Sequence, residues 1–173
     1  MAQRIYFDNS ATTPLDPRVR RAMTPYLGDR FGNPSSLHHE GRAARQAVEE
    51  ARAEVARLIN AAPDEVIFTA SGTEADNLAL LGLMMPNDGK PRHMVTTAIE
   101  HPAVLETCRF LERNGVAVSY VAPGADGIID LPDLAAALRP DTRLVSMMAA
   151  NNVVGTLQPL AEAARLARGC GAL

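Results

Sequence analysis

Apolar residues recur with the 3.6-residue period of an amphipathic helix from Gly41 to Ile59, and arginines and glutamates occupy the positions between them. A turn signal follows at residues 62–64. The next apolar run, Val66–Phe68, is too short for a helix and has the β-branched and aromatic composition of a strand. This part of the chain is therefore predicted to form one long helix and one short buried strand.

The remainder of the chain alternates between helical and strand patterns. A helix is predicted from about Thr73 to Leu83, and Gly169–Gly171 is typical of a helix stop, with a further strand expected from Ala172. Predicted strands lie at 94–97, 116–121 and 144–148, and the helices that follow them lie at 102–113, 131–138 and 159–168. Alternation of this kind predicts an α/β layered fold with a mostly parallel sheet.

Composition favours a small-molecule partner over a polymer or a membrane. The chain has 173 residues, 47% of them hydrophobic, with a net charge of -3 and no run of like charges. We therefore expect neither a nucleic-acid nor a membrane partner. The N-terminus lacks a long apolar region and no stretch approaches the roughly 18 apolar residues of a membrane span, so we predict a cytoplasmic protein. Two cysteines are too few for a disulfide scaffold and lack zinc-ligand spacing, so no metal site is predicted. Lys90 is the single lysine and thus the single candidate for amine chemistry.

A turn of small residues, Thr69–Asn77, lies between a predicted strand and a predicted helix. Free backbone N–H groups, a hydroxyl and the helix dipole would make this turn an anion site suited to phosphate. An equally good interpretation is that Ser71 or Thr73 simply caps the helix.

Two further polar clusters also follow predicted strands. His101 lies beside Pro102, whose missing N–H suits the first turn of a helix, so its imidazole could face a ligand or could be purely structural. The amides of Asn151 and Asn152 could form only a turn, or could bind a hydroxyl or phenolate. The predicted topology places all three clusters at one edge of one sheet, where a phosphorylated cofactor could lie across them.

The sequences of these clusters and their order along the chain resemble those of a known family, the pyridoxal-phosphate-dependent cysteine desulfurases of the nitrogen-fixation and iron–sulfur-cluster group. The segments that carry the resemblance are Tyr6–Pro14, Phe31–Ser36, Thr69–Asn77, Glu100–Val104 and Asn151–Thr156. The resemblance implies a three-layer fold of the type I pyridoxal-phosphate transferases. It further implies an arm over residues 1–16 and, over 17–173, an incomplete large domain that lacks the catalytic half and the small C-terminal domain.

The same resemblance implies roles for individual residues. Gly72 and Thr73 match the pair that binds the cofactor phosphate, and His101 matches the histidine that stacks on the pyridine ring and assists proton transfer. Asn152 matches the asparagine that binds the phenolic oxygen. Val153 departs from the family, which commonly has a glutamate there.

The family reaction takes sulfur from L-cysteine, leaving L-alanine and a persulfide on an enzyme cysteine. Lys90, Cys108 and Cys170 do not match the family's catalytic lysine and cysteine. The resemblance therefore implies the N-terminal portion of a desulfurase that is inactive by itself, and for the full-length protein a homodimer that serves an iron–sulfur scaffold or another sulfur acceptor. The alternatives are a non-catalytic module that binds pyridoxal phosphate or a partner protein, and a related aminotransferase or lyase.

Overall fold

The computed structural model describes residues 5–85, residue 90 and residues 92–173. These residues form two compact units, one reaching to Phe68 and the other running from Thr69 to Leu173. The predicted arm boundary at residue 16 is a different division and stays a prediction. None of the helices among the described residues is both long enough and apolar enough to cross a membrane.

The first unit is helical. It contains α1 (Pro17–Met23), a 3₁₀ turn (Thr24–Leu27), α2 (His39–Ile59) and a second 3₁₀ turn (Pro63–Glu65). The predicted long helix is confirmed, and it starts two residues early because His38 Nδ1 accepts a hydrogen bond from Gly41 N. It ends where Asn60 adopts a left-handed conformation with φ of 56°.

The predicted strand at Val66–Phe68 is wrong. Val66 is buried, but 68% of Ile67 and 48% of Phe68 are exposed, and this segment has no strand pairing among the described residues. Local contacts with α2 replace a sheet ladder, because the Arg52 guanidinium donates to the Val66 carbonyl and lies 5.0 Å above the Phe68 ring. Only Val66 is buried as predicted, and its carbonyl is bound by Arg52 and not by a neighbouring strand.

Two glycines allow the loop before α2 to lie against that helix. A Cβ atom at Gly41 would lie 2.3 Å from Ser36 O, and one at Gly32 would lie 2.4 Å from Glu40 O. Neither distance is possible for a real carbon against a backbone oxygen. The loop containing Phe31–Ser36 thus needs glycine at these positions for packing reasons alone.

The second unit is an α/β layer structure. Its elements are α3 (Gly72–Met84), β1 (His93–Thr97), α4 (Pro102–Arg113), β2 (Ala117–Val121), α5 (Leu131–Ala137), β3 (Thr142–Ser146) and α6 (Leu160–Gly169). The three strands are parallel in the order β2–β1–β3, which confirms the predicted fold class. Strand β3 ends two residues before the predicted boundary. Leu173 lies along its free edge, donating to Arg143 O at 3.0 Å and accepting from Val145 N at 2.8 Å.

The central strand β1 is buried along its whole length and divides the core into two clusters. Met94 faces one cluster, with Leu80 and Leu111 of the adjoining helices, while Val95 faces the other, with Ile129 and Leu134. Successive side chains of a strand point to opposite faces, so α3 and α4 cover one side of the sheet and α5 and α6 the other. The carboxyl ends of the strands are left to the connecting loops.

At the amino end of the sheet, His93 is fully buried and joins all three strands. Its Nδ1 lies 2.7 Å from Thr142 Oγ1 on β3, and its Nε2 lies 2.9 Å from Ser119 Oγ on β2. Burial is the main cause that lowers the pKa of this imidazole, and nearby Arg139 lowers it further. His93 is therefore a structural histidine at the amino end of the sheet, opposite the loops that follow the carboxyl ends of the strands.

Candidate functional site

The first turn of α3 combines a helix cap with unused donors. Ser71 Oγ accepts from Glu74 N at 3.2 Å, and Glu74 Oε2 accepts from Ala70 N at 2.8 Å, so the capping interpretation is correct. The hydrogen bonds between described residues leave the N–H groups of Gly72 and Thr73 unengaged. Capping and anion binding are therefore compatible here, because the cap uses different donors.

Helix packing brings Thr73 close to His101. Both residues line a shallow cavity of about 600 Å³ that lies between α3 and α4 and is open to solvent. Contacts between the helices fix this arrangement, since Thr107 Oγ1 lies 2.8 Å from Asn77 Oδ1, while Asn77 Nδ2 donates to Thr73 O at 2.8 Å. The small-residue turn was predicted to follow a strand, but it is placed by helix–helix contacts instead.

His101 is the N-cap of α4, and its ring is held by the helix it caps. Its Nδ1 accepts from Ala103 N at 3.1 Å, and Pro102 occupies the first turn as predicted. A neutral ring that accepts at Nδ1 carries its proton on Nε2. The side chain is exposed and lines the cavity, so His101 offers an N–H donor on a ring that is held by its own cap.

The two asparagines of the third cluster have different environments. Asn151 is half-buried and its Oδ1 accepts from Val153 N and Val154 N, whereas Asn152 is exposed and no hydrogen bond between described residues uses its side chain. Asn152 is not among the residues lining the cavity of Thr73 and His101. The structure therefore brings two of the predicted contact positions together and places Asn152 in an adjacent loop.

Glu100 is a buried carboxyl that sequence reasoning treated only as part of a motif. It is 7% exposed, and its Oε1 accepts from Thr97 Oγ1 and from Met148 N, each at 2.7 Å. Burial raises its pKa, and nearby Asp76 acts in the same direction. The available sequence signal was its position shortly after the predicted buried strand at 94–97. A charged side chain that is buried in such a place is almost always hydrogen-bonded or paired.

The other reactive side chains lie away from the cavity. Lys90 is exposed before the amino end of β1, while His101 follows the carboxyl end of that strand. Cys108 is buried in α4 beside Met94, as predicted for a structural thiol, and Cys170 is half-buried with its Sγ 3.2 Å from Ala167 O. None of the three lines the cavity.

We predict that the two thiols differ sharply in reactivity, because burial raises the pKa of Cys108 to about 11. Treatment of the folded protein with iodoacetamide at pH 8 should alkylate Cys170 and leave Cys108 unmodified until guanidinium is added. Mass spectrometry of the digested protein checks this result. Equal labelling of both cysteines in the folded state would contradict the buried position of Cys108.

Comparison with known proteins decides the family. A family profile described as "Aminotransferase class-V" matches residues 5–173. The chain belongs to this family. It is 49% identical over 172 residues to the protein named "Cysteine desulfurase IscS" of Pseudomonas aeruginosa, covering 98% of this chain and 43% of the relative. The chain thus spans less than half the length of the curated relatives it matches.

Solved structures agree with this assignment. One named "NIFS-LIKE PROTEIN" has a TM-score of 0.93 and 40% identity, covering 98% of this chain and 46% of the other. A second, named "SspA in complex with cysteine", has a TM-score of 0.91 and 38% identity, covering 96% of this chain and 48% of the other. These similarities confirm the predicted resemblance and the fold it implied.

The family implies pyridoxal 5'-phosphate, and the residues described here fit such a cofactor. Two unengaged N–H groups and the Thr73 hydroxyl lie at the positive end of a 13-residue helix, which suits a phosphate dianion. Glu74 does not oppose the anion by pointing into the site, because its carboxylate is turned back onto Ala70 N. The exposed imidazole of His101 and the exposed amide of Asn152 supply groups for a polar aromatic ring.

Proposed function

We propose that this chain forms the phosphate, histidine and amide side of the pyridoxal-phosphate site of a cysteine desulfurase. One observation carries the proposal: Thr73, in the first turn of α3 next to Gly72, lines the same cavity as His101 at the start of α4. The similarity to desulfurases over almost the whole chain supports the same reaction class.

The phosphate would be held by the N–H groups of Gly72 and Thr73 together with the Thr73 hydroxyl. Hydrogen bonds to a charged acceptor are about twice as strong as neutral ones, so a few donors fixed by a helix suffice for binding. Among the residues that the structure describes, no lysine or arginine lines the cavity. The helix dipole would therefore provide the positive potential that a basic side chain provides elsewhere.

His101 would lie against the pyridine ring, with its Nε2–H available to move a proton at the substrate. Its Nδ1 is committed to Ala103 N, so the ring cannot rotate without breaking the cap of α4. Asn152 would donate from its amide to the phenolic oxygen of the cofactor. The exposed Val153 beside it makes this loop less polar without removing the amide.

The bound cofactor supplies an electron sink for the carbanion of L-cysteine, which is the substrate we propose. The products would be L-alanine and a persulfide sulfur destined for an iron–sulfur scaffold or another acceptor, in a cytoplasmic homodimer. Lys90 and both cysteines lie outside the cavity, so the described residues bind and orient the reactants but provide neither the covalent lysine nor the sulfur-accepting thiolate.

Pyridoxine 5'-phosphate tests this proposal, because it has the ring, the phenolic oxygen and the phosphate but no aldehyde that could react with Lys90. Calorimetric titration of the chain should show binding that is at least about tenfold tighter than that of pyridoxine, which lacks the phosphate. Inorganic phosphate should compete. Equal affinity for the two compounds, or no binding of either, would contradict a phosphate site at α3.

A further inference from the structure

Two hydrogen bonds join the loop that precedes His101 to the loop that carries Asn152. The first loop connects β1 to α4, and the second connects β3 to α6. Glu100 Oε1 accepts from Met148 N at 2.7 Å, and Asn151 Nδ2 donates to Ile99 O at 3.1 Å. Neighbouring parallel strands are thus linked beyond the end of their ladder.

Each link is anchored on its own side. The Glu100 carboxylate oxygen also accepts from Thr97 Oγ1 at 2.7 Å, which fixes it to the last residue of β1. Asn151 stabilises the turn of its own loop, since its Oδ1 accepts from Val153 N at 2.9 Å and from Val154 N at 3.0 Å. A side chain that is hydrogen-bonded both to its own loop and to the other loop holds the two loops at a fixed separation, whereas a single flexible contact does not.

The two linking residues are adjacent in sequence to the proposed contact residues. Glu100 directly precedes His101, and Asn151 directly precedes Asn152. A displacement of either link would therefore move an imidazole or an amide by a comparable distance. Burying a carboxyl at 7% exposure is unfavourable unless its bonds compensate, and this one sits where the two loops meet.

We infer that Glu100 is a positioning residue that, together with Asn151, sets the separation between His101 and Asn152. The link itself is independent of the ligand, whereas its consequence for binding rests on the proposed function. Glu100 does not line the cavity, so it acts through the two loops and not by contact with a ligand.

The test compares three variants. Glu100→Ala removes the acceptor, Glu100→Gln keeps an Oε1 that can accept from Met148 N, and Thr142→Ala weakens the opposite end of the sheet by removing a partner of His93. Two readouts are used: hydrogen exchange of the Met148, Val153 and Val154 amides, and calorimetric affinity for pyridoxine 5'-phosphate.

Glu100→Ala should accelerate exchange of these three amides about tenfold or more relative to the amides of β1, and should weaken the probe about tenfold. Glu100→Gln should stay within about threefold of the parent in both readouts, and Thr142→Ala should not alter the affinity selectively. Rescue by glutamine combined with insensitivity to Thr142→Ala separates positioning from general stability.

Unchanged exchange at Val153 and Val154 in Glu100→Ala would overturn the inference. So would unchanged affinity in Glu100→Ala when the parent chain binds the probe. If the parent chain does not bind pyridoxine 5'-phosphate, the proposed function fails, and the exchange data alone decide whether Glu100 holds the loops.

Discussion

Replacing Gly72 with proline should weaken the binding of pyridoxine 5'-phosphate by about tenfold or more, because it deletes one N–H donor to a charged acceptor. Proline is well suited to this position. Gly72 is the first residue of α3, and Ser71 before it has φ of -161° and ψ of 162°, an extended conformation that proline tolerates in its neighbour. The helix should therefore remain intact while the donor is lost.

Gly72→Ala is the matched control, since it keeps the N–H and a Cβ atom there meets nothing within 4 Å. We expect its affinity to remain within about threefold of the parent chain, with far-ultraviolet circular dichroism unchanged in both variants. Equal binding by the alanine and proline variants would show that the Gly72 N–H does not hold the phosphate.

Replacing His93 with leucine should lower the free energy of unfolding by about 3 kcal/mol, because the buried hydroxyl of Thr142 and the half-buried hydroxyl of Ser119 each lose a partner. His39→Leu is the control, because His39 is on the surface and a change there should stay within about 0.5 kcal/mol. Urea denaturation of the three proteins measures the difference. A His93→Leu variant as stable as the control would contradict the linking role of this imidazole.

The His93 ring should also give stability a specific pH dependence. Its pKa is lower in the folded protein than the ordinary value of 6.5, so below that value the unfolded chain binds more protons than the folded chain. The contribution is therefore complete above pH 6.5 and is lost as the pH falls toward the folded pKa. Glu100 has a raised pKa and acts oppositely, with stability decreasing as the pH rises from 4.5. The His93→Leu variant should thus lose less stability on acidification than the parent.

The periodic parts of the fold were predictable from sequence because packing and pattern agree there. The limits of α4, Pro102–Arg113, are the predicted ones, since proline marks its first turn and a strong apolar stripe defines its buried face. Val66–Phe68 failed for the opposite reason. Three apolar residues do not specify a hydrogen-bonding partner, and here only Val66 is buried, with Arg52 from α2 binding its carbonyl.

The candidate site shows the same division between local and non-local information. The unengaged N–H group of Gly72 could be predicted because the first N–H groups of any helix have no partner within that helix. Capping by Ser71 could be predicted too, because it involves residues three positions apart. The link from Glu100 to Met148 spans 48 residues and depends on the order of strands in the sheet. No spacing rule along the chain predicts such a bond, so Glu100 appeared only as part of a motif.

We propose that Gly72, Thr73, His101 and Asn152 act on one ligand, and a nuclear magnetic resonance titration can show whether they do. Pyridoxine 5'-phosphate is added to the ¹⁵N-labelled chain while the backbone amides and the His101 ring are followed. We expect the amides of Gly72, Thr73 and Asn152 and the His101 Nε2 resonance to shift together with one dissociation constant. Shifts confined to other residues, or separate saturation of the α3 turn and the Asn152 loop, would contradict it.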